Sequence, residues 1–473
     1  MALTLRRKKC SRPPRSGFLL LALLIFAANA VSRPSRADNV VPAAVELPAT
    51  LTLQDALALF HKRGLDLLIA DAATRNAEGA VMIAGAVANP VVTTGIGNAL
   101  TYSTSHYSMS NCLASGATCP PWIYNVGITD SAAIEDAVSG KRDLRLKVAR
   151  NALAAAKLSR VDAERTLTLQ VKSAFVQVAQ AILALRFARD VASTQATTLR
   201  KARERYKAGA TNEGDVQRIE AQKLESEQAL DTAEYTLRAT RFGLGFLLGA
   251  RGTVPDFDVD TAVLDFTVPA SLKDASGLAL LRTAFAQRPD LLGAGYAKQS
   301  AAAQLQLVKR NRFPDITVGA NYAWGGYGGV STNGPLQGPT LSFSLSAPIP
   351  VFYGLQGEQR QAEAQYDTNA LQEAKATAQV TSDVAGSVAA FVTARKLVER
   401  MEGPRRDGGG LLQSARGAFE VVATQYEKGG ASLTDYLDAL RTYIATRTEY
   451  FADLSSYWTA VFQLEAAIGR DLP

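Results

Sequence analysis

The sequence predicts a duplicated α+β membrane protein in which long helical hairpins lead out of short, two-faced strands. Three observations carry this. Leu433, Leu437, Leu440, Ile444, Phe451, Leu454, Trp458 and Val461 follow a 4-3 spacing, broken only at Arg447, and form the seam of a coiled coil. Tyr426-Glu427-Lys428-Gly429 with Asp435 recurs, at the same offsets, as Tyr206-Lys207-Ala208-Gly209 with Asp215. In each copy a helical pattern stops at glycine and a new one starts a few residues later, so each marks the tip of a helical hairpin. Finally, each copy holds stretches that alternate apolar and small polar residues, and no stretch after the leader approaches the roughly twenty apolar residues of a membrane helix. If the chain crosses a membrane, it does so as strands.

The formal charge of +7 on 473 residues is no sign of nucleic-acid binding. Residues 1–37 hold eight Lys or Arg and no acid; the remainder has 43 basic against 44 acidic residues. That leader reads as a signal peptide. Arg6-Arg7-Lys8-Lys9 precedes an apolar run from Phe18 to Ala30, and Ala28-Asn29-Ala30 or Ser35-Arg36-Ala37 suits cleavage. Cys10 lies ahead of the run, which argues against a lipid-anchored N-terminus. The other cysteines, Cys112 and Cys119, sit in a Ser-rich loop of an exported chain, where a disulfide is the expected state and a metal site with His106 the weaker reading.

Taken in order, residues 38–249 form the first repeat. Leu51-Thr52-Leu53-Gln54-Asp55-Ala56-Leu57 opens a short helix, and a second runs from Leu65 until Asn89-Pro90 stops it. A β-hairpin over 90–130 follows, with Trp122, Tyr124, Val126 and Ile128 on its outward face. Ser139-Gly140-Lys141-Arg142 leads into a helical hairpin over 140–249. Its first arm has no Pro or Gly before Gly209 and spans about 100 Å. Residues 250–275, with Pro255 and Pro269, read as a polar linker or equatorial segment. The second repeat, 276–470, has the same order: a short helix, Arg288-Pro289-Asp290-Leu291 restarting helix, a β-hairpin over 314–348, and a helical hairpin over 354–469. Gly140 to Tyr206 is 66 residues and Gly354 to Tyr426 is 72, so the second long helix has extra residues near Gly403-Pro404 and Gly408-Gly409-Gly410. They predict a kink or bulge in that helix.

Four strands per chain cannot close a barrel, and an open sheet edge cannot face lipid. Closure requires partner copies; two, three or four chains all fall in the usual barrel range. The alternative is a soluble four-stranded sheet on a coiled-coil protein. Enzyme readings find no support, because His61 and His106 lie in unrelated segments and the chain has no zinc-protease, phosphate-loop or nucleophile-elbow motif. No cofactor is expected.

In the order and duplication of these motifs, over about residues 50–470, the chain resembles the TolC-like outer membrane efflux protein family. The resemblance implies a homotrimer with a twelve-stranded β-barrel in the outer membrane and an α-helical tunnel through the periplasm. It implies partners at the helix tips: a periplasmic adaptor (membrane fusion) protein and an inner-membrane pump. Asn89-Pro90…Asn98 and Gly140-Lys141-Arg142 look most like the CzcC-type branch, which serves heavy-metal pumps of the resistance-nodulation-division class. Outlets for drug efflux or type I secretion share every feature above, and a periplasmic coiled-coil binding protein is the reading from another class. Two departures from the family are the missing lipidated cysteine and the Gly-Pro insertion near residue 404.

By the same resemblance Asp435 and Asp438, three apart on one helix face, become the acids of the channel aperture. A ring of such carboxylates favours cations, and crowding would raise some of their pKa values. The bland alternative pairs Asp438 with Arg441 on a solvated face. Tyr206, Gly209, Asp215, Tyr426 and Gly429 become the tip residues, for adaptor docking and contacts between hairpins, with Tyr426 the expected partner of Asp215. Asp215 could equally serve only the first turn of its own helix.

Overall fold

The computed structural model describes residues 47–98, 122–130, 139–251, 256–272, 276–325, 330–331, 334–335, 340–348, 351–403 and 409–470. The leader, the Cys112/Cys119 loop and the centre of the Gly-Pro insertion lie outside them. The chain begins with a short strand, β1 (Thr50–Leu51), then α1 (Leu53–Arg63) and α2 (Leu65–Gly85). Thr52 caps α1 through a reciprocal box in which its hydroxyl accepts from the Asp55 amide at 3.2 Å. Strands β2 (Val91–Asn98) and β3 (Trp122–Thr129) follow, then the hairpin arms α3 (Lys141–Lys207) and α4 (Glu213–Leu247). The 67 residues of α3 have no break, as expected from their lack of Pro and Gly.

The segment after α4 is not the polar linker that its prolines suggest. Strand β4 (Asp258–Val259) pairs in parallel with β1, setting Leu51 against Val259. Phe257, Val259, Leu264 and Leu272 are all buried. Together with Phe60 of α1 and Phe175 of α3 they make a core halfway along the molecule. Four buried side chains among polar neighbours are too sparse to give a periodicity, so sequence spacing hides them.

The second repeat comprises α5 (Gly277–Gln287), α6 (Pro289–Arg310), β5 (Thr317–Gly325), the short pair β6 (Val330–Ser331) and β7 (Gly334–Pro335), then β8 (Thr340–Ser346). Arg288, at the joint of α5 and α6, is only 3% exposed in its side chain and binds Asp290 at 2.6 Å and Asp383 at 2.8 Å. Burial pushes the Asp290 carboxyl up, but the Arg288 guanidinium more than offsets this and holds it below its ordinary value.

Where one kinked helix was expected, there are two. Helix α7 (Gln356–Glu402) ends and α8 (Leu411–Glu427) begins anew. Gly403 takes φ 75°, closed to ordinary side chains, and the Gly410 amide donates to the Glu402 carbonyl at 3.0 Å. The helix therefore stops and restarts, with its two ends tied together across the extra residues. The last helix, α9 (Leu433–Ile468), carries the predicted seam: Leu433, Leu437, Leu440, Phe451, Leu454 and Val461 are buried. Arg447, the break in the row, lies 5.1 Å from the Phe187 ring and 5.6 Å from Phe451, so it packs as a cation on aromatic faces.

Helix α3 does contain a stretch long and apolar enough to cross a bilayer by composition alone. That stretch includes Val171, Phe175, Val178, Ile182 and Leu185, which are buried in the mid-molecule core. Tyr457 of α9 meets them there, its hydroxyl donating to the Thr267 carbonyl at 2.8 Å while burial pushes its pKa up to about 12.

The four main strands form one antiparallel sheet, ordered β2-β3-β5-β8. Register puts Ile96 beside Tyr124, Tyr124 beside Trp324, Tyr322 beside Leu341 and Ala320 beside Phe343. Since side chains alternate along a strand, all of these share one face. Thr93, Gly127, Asn321 and Ser342 fall on the other.

Candidate functional site

The tips are built twice by one device. In the first, Gly209 takes φ 69°, and the Ala210 amide reaches back to the Arg205 carbonyl at 2.8 Å. In the second, Gly429 takes φ 80°, and the Gly430 amide reaches the Gln425 carbonyl at 2.8 Å. Both are helix ends closed by a left-handed residue, which leaves room for a new helix within three residues. The new helices are capped alike: the Asn212 side chain accepts from the Asp215 amide at 2.8 Å, and the Ser432 hydroxyl accepts from the Asp435 amide at 3.2 Å.

This capping draws in the Asp435 side chain as well. Its carboxylate receives the Ser432 hydroxyl at 2.7 Å and the Ser432 amide at 3.1 Å. The Ser432 hydroxyl, and then its amide, hold the carboxyl of the single chain below the ordinary aspartate value. Asp438 lies one turn on, exposed, with no ion-pair partner among the described residues; the alternative pairing with Arg441 is not formed. Asp215 accepts from the Thr211 hydroxyl at 3.1 Å. No hydrogen bond joins it to Tyr426, although its charge is close enough to be felt there. Tyr206 is nearly half exposed, and a Cβ added at Gly209 or Gly429 would meet nothing within 4 Å.

What holds one tip to the other was not legible as a motif. Arg205 lies 5.5 Å from the Tyr426 ring and donates to the Tyr426 carbonyl at 3.4 Å and the Glu427 carbonyl at 2.5 Å. Lys201 binds Glu427 at 2.6 Å. Tyr426 stacks on Tyr436 at 5.1 Å, and Phe419 stacks on Tyr443 at 5.4 Å. Burial raises the Tyr426 hydroxyl above its ordinary value; Arg205 opposes this and Asp215 adds to it. The available signal was two cations, one turn apart, just ahead of the first tip tyrosine.

At the other end, the Gly140-Lys141-Arg142 motif fastens strands to helices. Buried Lys141 donates to the Phe313 carbonyl at 2.7 Å and to Asp315 at 2.6 Å, and Arg142 donates to the Gly85 carbonyl. Beyond this joint the apolar face of the sheet is bare. Ile96, Ile128, Leu341, Phe343 and Leu345 are each more than half exposed. Among the described residues no cluster of His, Cys, Asp or Glu could hold a metal ion.

A duplicated tip, two open sheet edges and an uncovered apolar face call for comparison with known families. The profile of the outer membrane efflux proteins matches residues 57–250 and 280–470, one stretch in each repeat. The chain belongs to the outer membrane efflux protein family. This efflux protein is therefore an outer membrane channel component whose helices extend into the periplasm. Solved structures share its fold. It is similar to the outer membrane protein VceC of Vibrio cholerae, at 18% identity over 89% of this chain and 97% of that one, with a TM-score of 0.67. It is also similar to CusC, at 15% identity over 93% and 98% with a TM-score of 0.69. The MtrE outer membrane channel of Neisseria gonorrhoeae gives 19% identity over 89% of each chain and a TM-score of 0.68. No curated protein sequence matches the chain significantly.

Proposed function

We propose that three copies of the chain close a twelve-stranded barrel, continued by a helical tunnel, and that the assembly is the passive exit duct of a tripartite efflux system. One observation carries this reading. Among the described residues the sheet has two unpaired edges, β2 and β8, and an outer face that is apolar except at Thr94, so a single copy suits neither water nor lipid. Further copies remove both edges at once. In this assembly the tips narrow the duct, with Asp438 the freer of the two aperture acids and Arg205 holding one hairpin to the other. The open surroundings of Gly209 and Gly429 suit docking of hairpins from a periplasmic adaptor, which links the duct to an inner-membrane pump of the resistance-nodulation-division class. For the cargo, the likeness to the CzcC-type branch favours heavy-metal cations, with drugs or secreted proteins as the alternatives.

The test of assembly is light scattering with refractive-index correction on the detergent-extracted protein, followed by planar-bilayer recording. A folded monomer without conductance overturns the duct. Cargo is tested separately, in a deletion strain carrying the cognate pump. Restored metal tolerance without restored drug tolerance supports cations, and the reverse overturns them.

A further inference from the structure

We infer that a phospholipid of the periplasmic leaflet binds, by its phosphate, in a pocket at the foot of β5 and β8. The inference rests on the reading that the apolar face of the sheet meets lipid. The strands are seven to nine residues long, about 25 Å, which matches the apolar band of an outer-membrane barrel. Their helix-side ends therefore lie at headgroup depth, and there the surface changes character. A cavity of about 440 Å³ opens among Lys141, Arg145, Arg312, Asp315, Tyr353 and Leu355.

Its chemistry fits a phosphate diester with acyl chains. Lys141, 5% exposed in its side chain, is neutralised by Asp315 and fixes one wall. Arg312 donates to the neutral Gln359 amide oxygen at 2.6 Å and has no carboxylate within ion-pair distance among the described residues, so its charge is uncompensated. Arg145 brings a second guanidinium. Arginine matches phosphate oxygens with two parallel donors and sheds its hydration more readily than lysine does. Beside the cavity, Phe313, Val351 and Phe352 are exposed, Phe352 completely, at the height where aromatic side chains sit between headgroups and tails. The Tyr353 hydroxyl is tied down to Glu358 at 2.7 Å, which leaves its ring against the cavity. Leu355 lines the same cavity at φ 59°, the single non-glycine residue with positive φ among those described. Such strain in a bulky residue gathers where a ligand is held. Positive charge on one side and a bare apolar shelf on the other favour a lipid over a free anion.

The experiment is native mass spectrometry of the assembled protein, reconstituted from vesicles of phosphatidylglycerol and phosphatidylethanolamine. The wild type should retain phospholipid at one per chain. Arg312→Glu should lower retention at least tenfold, while Arg282→Glu, a charge reversal on α5, should leave it unchanged. Equal loss in both variants, or displacement of the lipid by inorganic phosphate alone, overturns the inference. A photoreactive benzoyl-phenylalanine in place of Phe352 should crosslink to lipid; a crosslink to a neighbouring copy shows that protein covers the shelf and also overturns it. Insertion into the vesicles is scored independently. If the wild type does not insert, the lipid-facing reading of the sheet fails, whereas insertion without retained lipid refutes the pocket alone.

Discussion

Replacing Arg205 with alanine should free the second tip from the first. The side chain makes one short hydrogen bond to the Glu427 carbonyl, a long one to Tyr426, and a cation–π contact at 5.5 Å. A charged hydrogen bond contributes about 1.5–3 kcal/mol net, and at a half-exposed tip the lower end applies. The ring contact adds about 0.5–1 kcal/mol. Together these give about 2 kcal/mol, or about a 30-fold shift toward a loosened tip. Lys201→Ala removes only an exposed ion pair, worth about 0–1 kcal/mol, so its shift should stay within a few-fold. The assay is single-channel recording in planar bilayers, read as the fraction of time at high conductance. Arg205→Ala should raise that fraction far more than Lys201→Ala, with Arg205→Lys between them. Equal effects from the two alanine variants, or no change in either, would refute the assignment of the clamp to Arg205.

Three further outcomes are expected. Gly429→Ala should destabilise the tip by about 1–2 kcal/mol, purely through its backbone angle, because a Cβ meets nothing there; Gly386→Ala in mid-helix should instead raise stability, and thermal melts followed by circular dichroism compare the two. Asp438→Asn should reduce cation preference in bilayer reversal potentials without touching the helix cap, whereas Asp435→Ala should also lose the carboxylate half of the capping box, the bonds accepted from the Ser432 hydroxyl and amide, visible as faster proteolysis at the tip. Asp290, held low by Arg288, contributes stability that is present above its unfolded value near 3.8 and lost as pH falls through the folded value; acid unfolding of Asp290→Asn should therefore flatten below about pH 4 relative to wild type.

The duplicated frame was legible because its signals are local. A heptad, a glycine in the left-handed region and a two-residue alternation each need only a dozen neighbouring residues to appear. The α9 seam, both tips and three of the four main strands follow from such patterns, while Val91-Val92 breaks the alternation of the first. Pairings across sequence distance were not legible. Leu51 and Val259 come together across the whole first hairpin, and nothing near either one announces it. Arg205 and Glu427 meet across the two repeats, and Lys141 finds a carbonyl near residue 313. Asp435 shows that a local contact can be missed too. Its place at the tip follows from the repeat, but the serine three residues earlier that binds its carboxylate and lowers its pKa was not read as a cap.

The joint between α7 and α8 makes the wall editable. Helix α7 stops at Glu402 and α8 starts at Leu411, with the Glu402 carbonyl and the Gly410 amide bonded across the gap. The entropic penalty for lengthening a loop whose ends are already fixed grows only logarithmically, by about 0.6 kcal/mol per doubling. A sequence spliced in there would leave the heptad phase of both flanking helices intact, whereas a single residue added inside α3 would rotate everything beyond it by about 100°. One arm of the molecule is thus a ruler that tolerates no insertion, and the other carries a socket: a place for an epitope or affinity handle between two helices whose ends are already tied together.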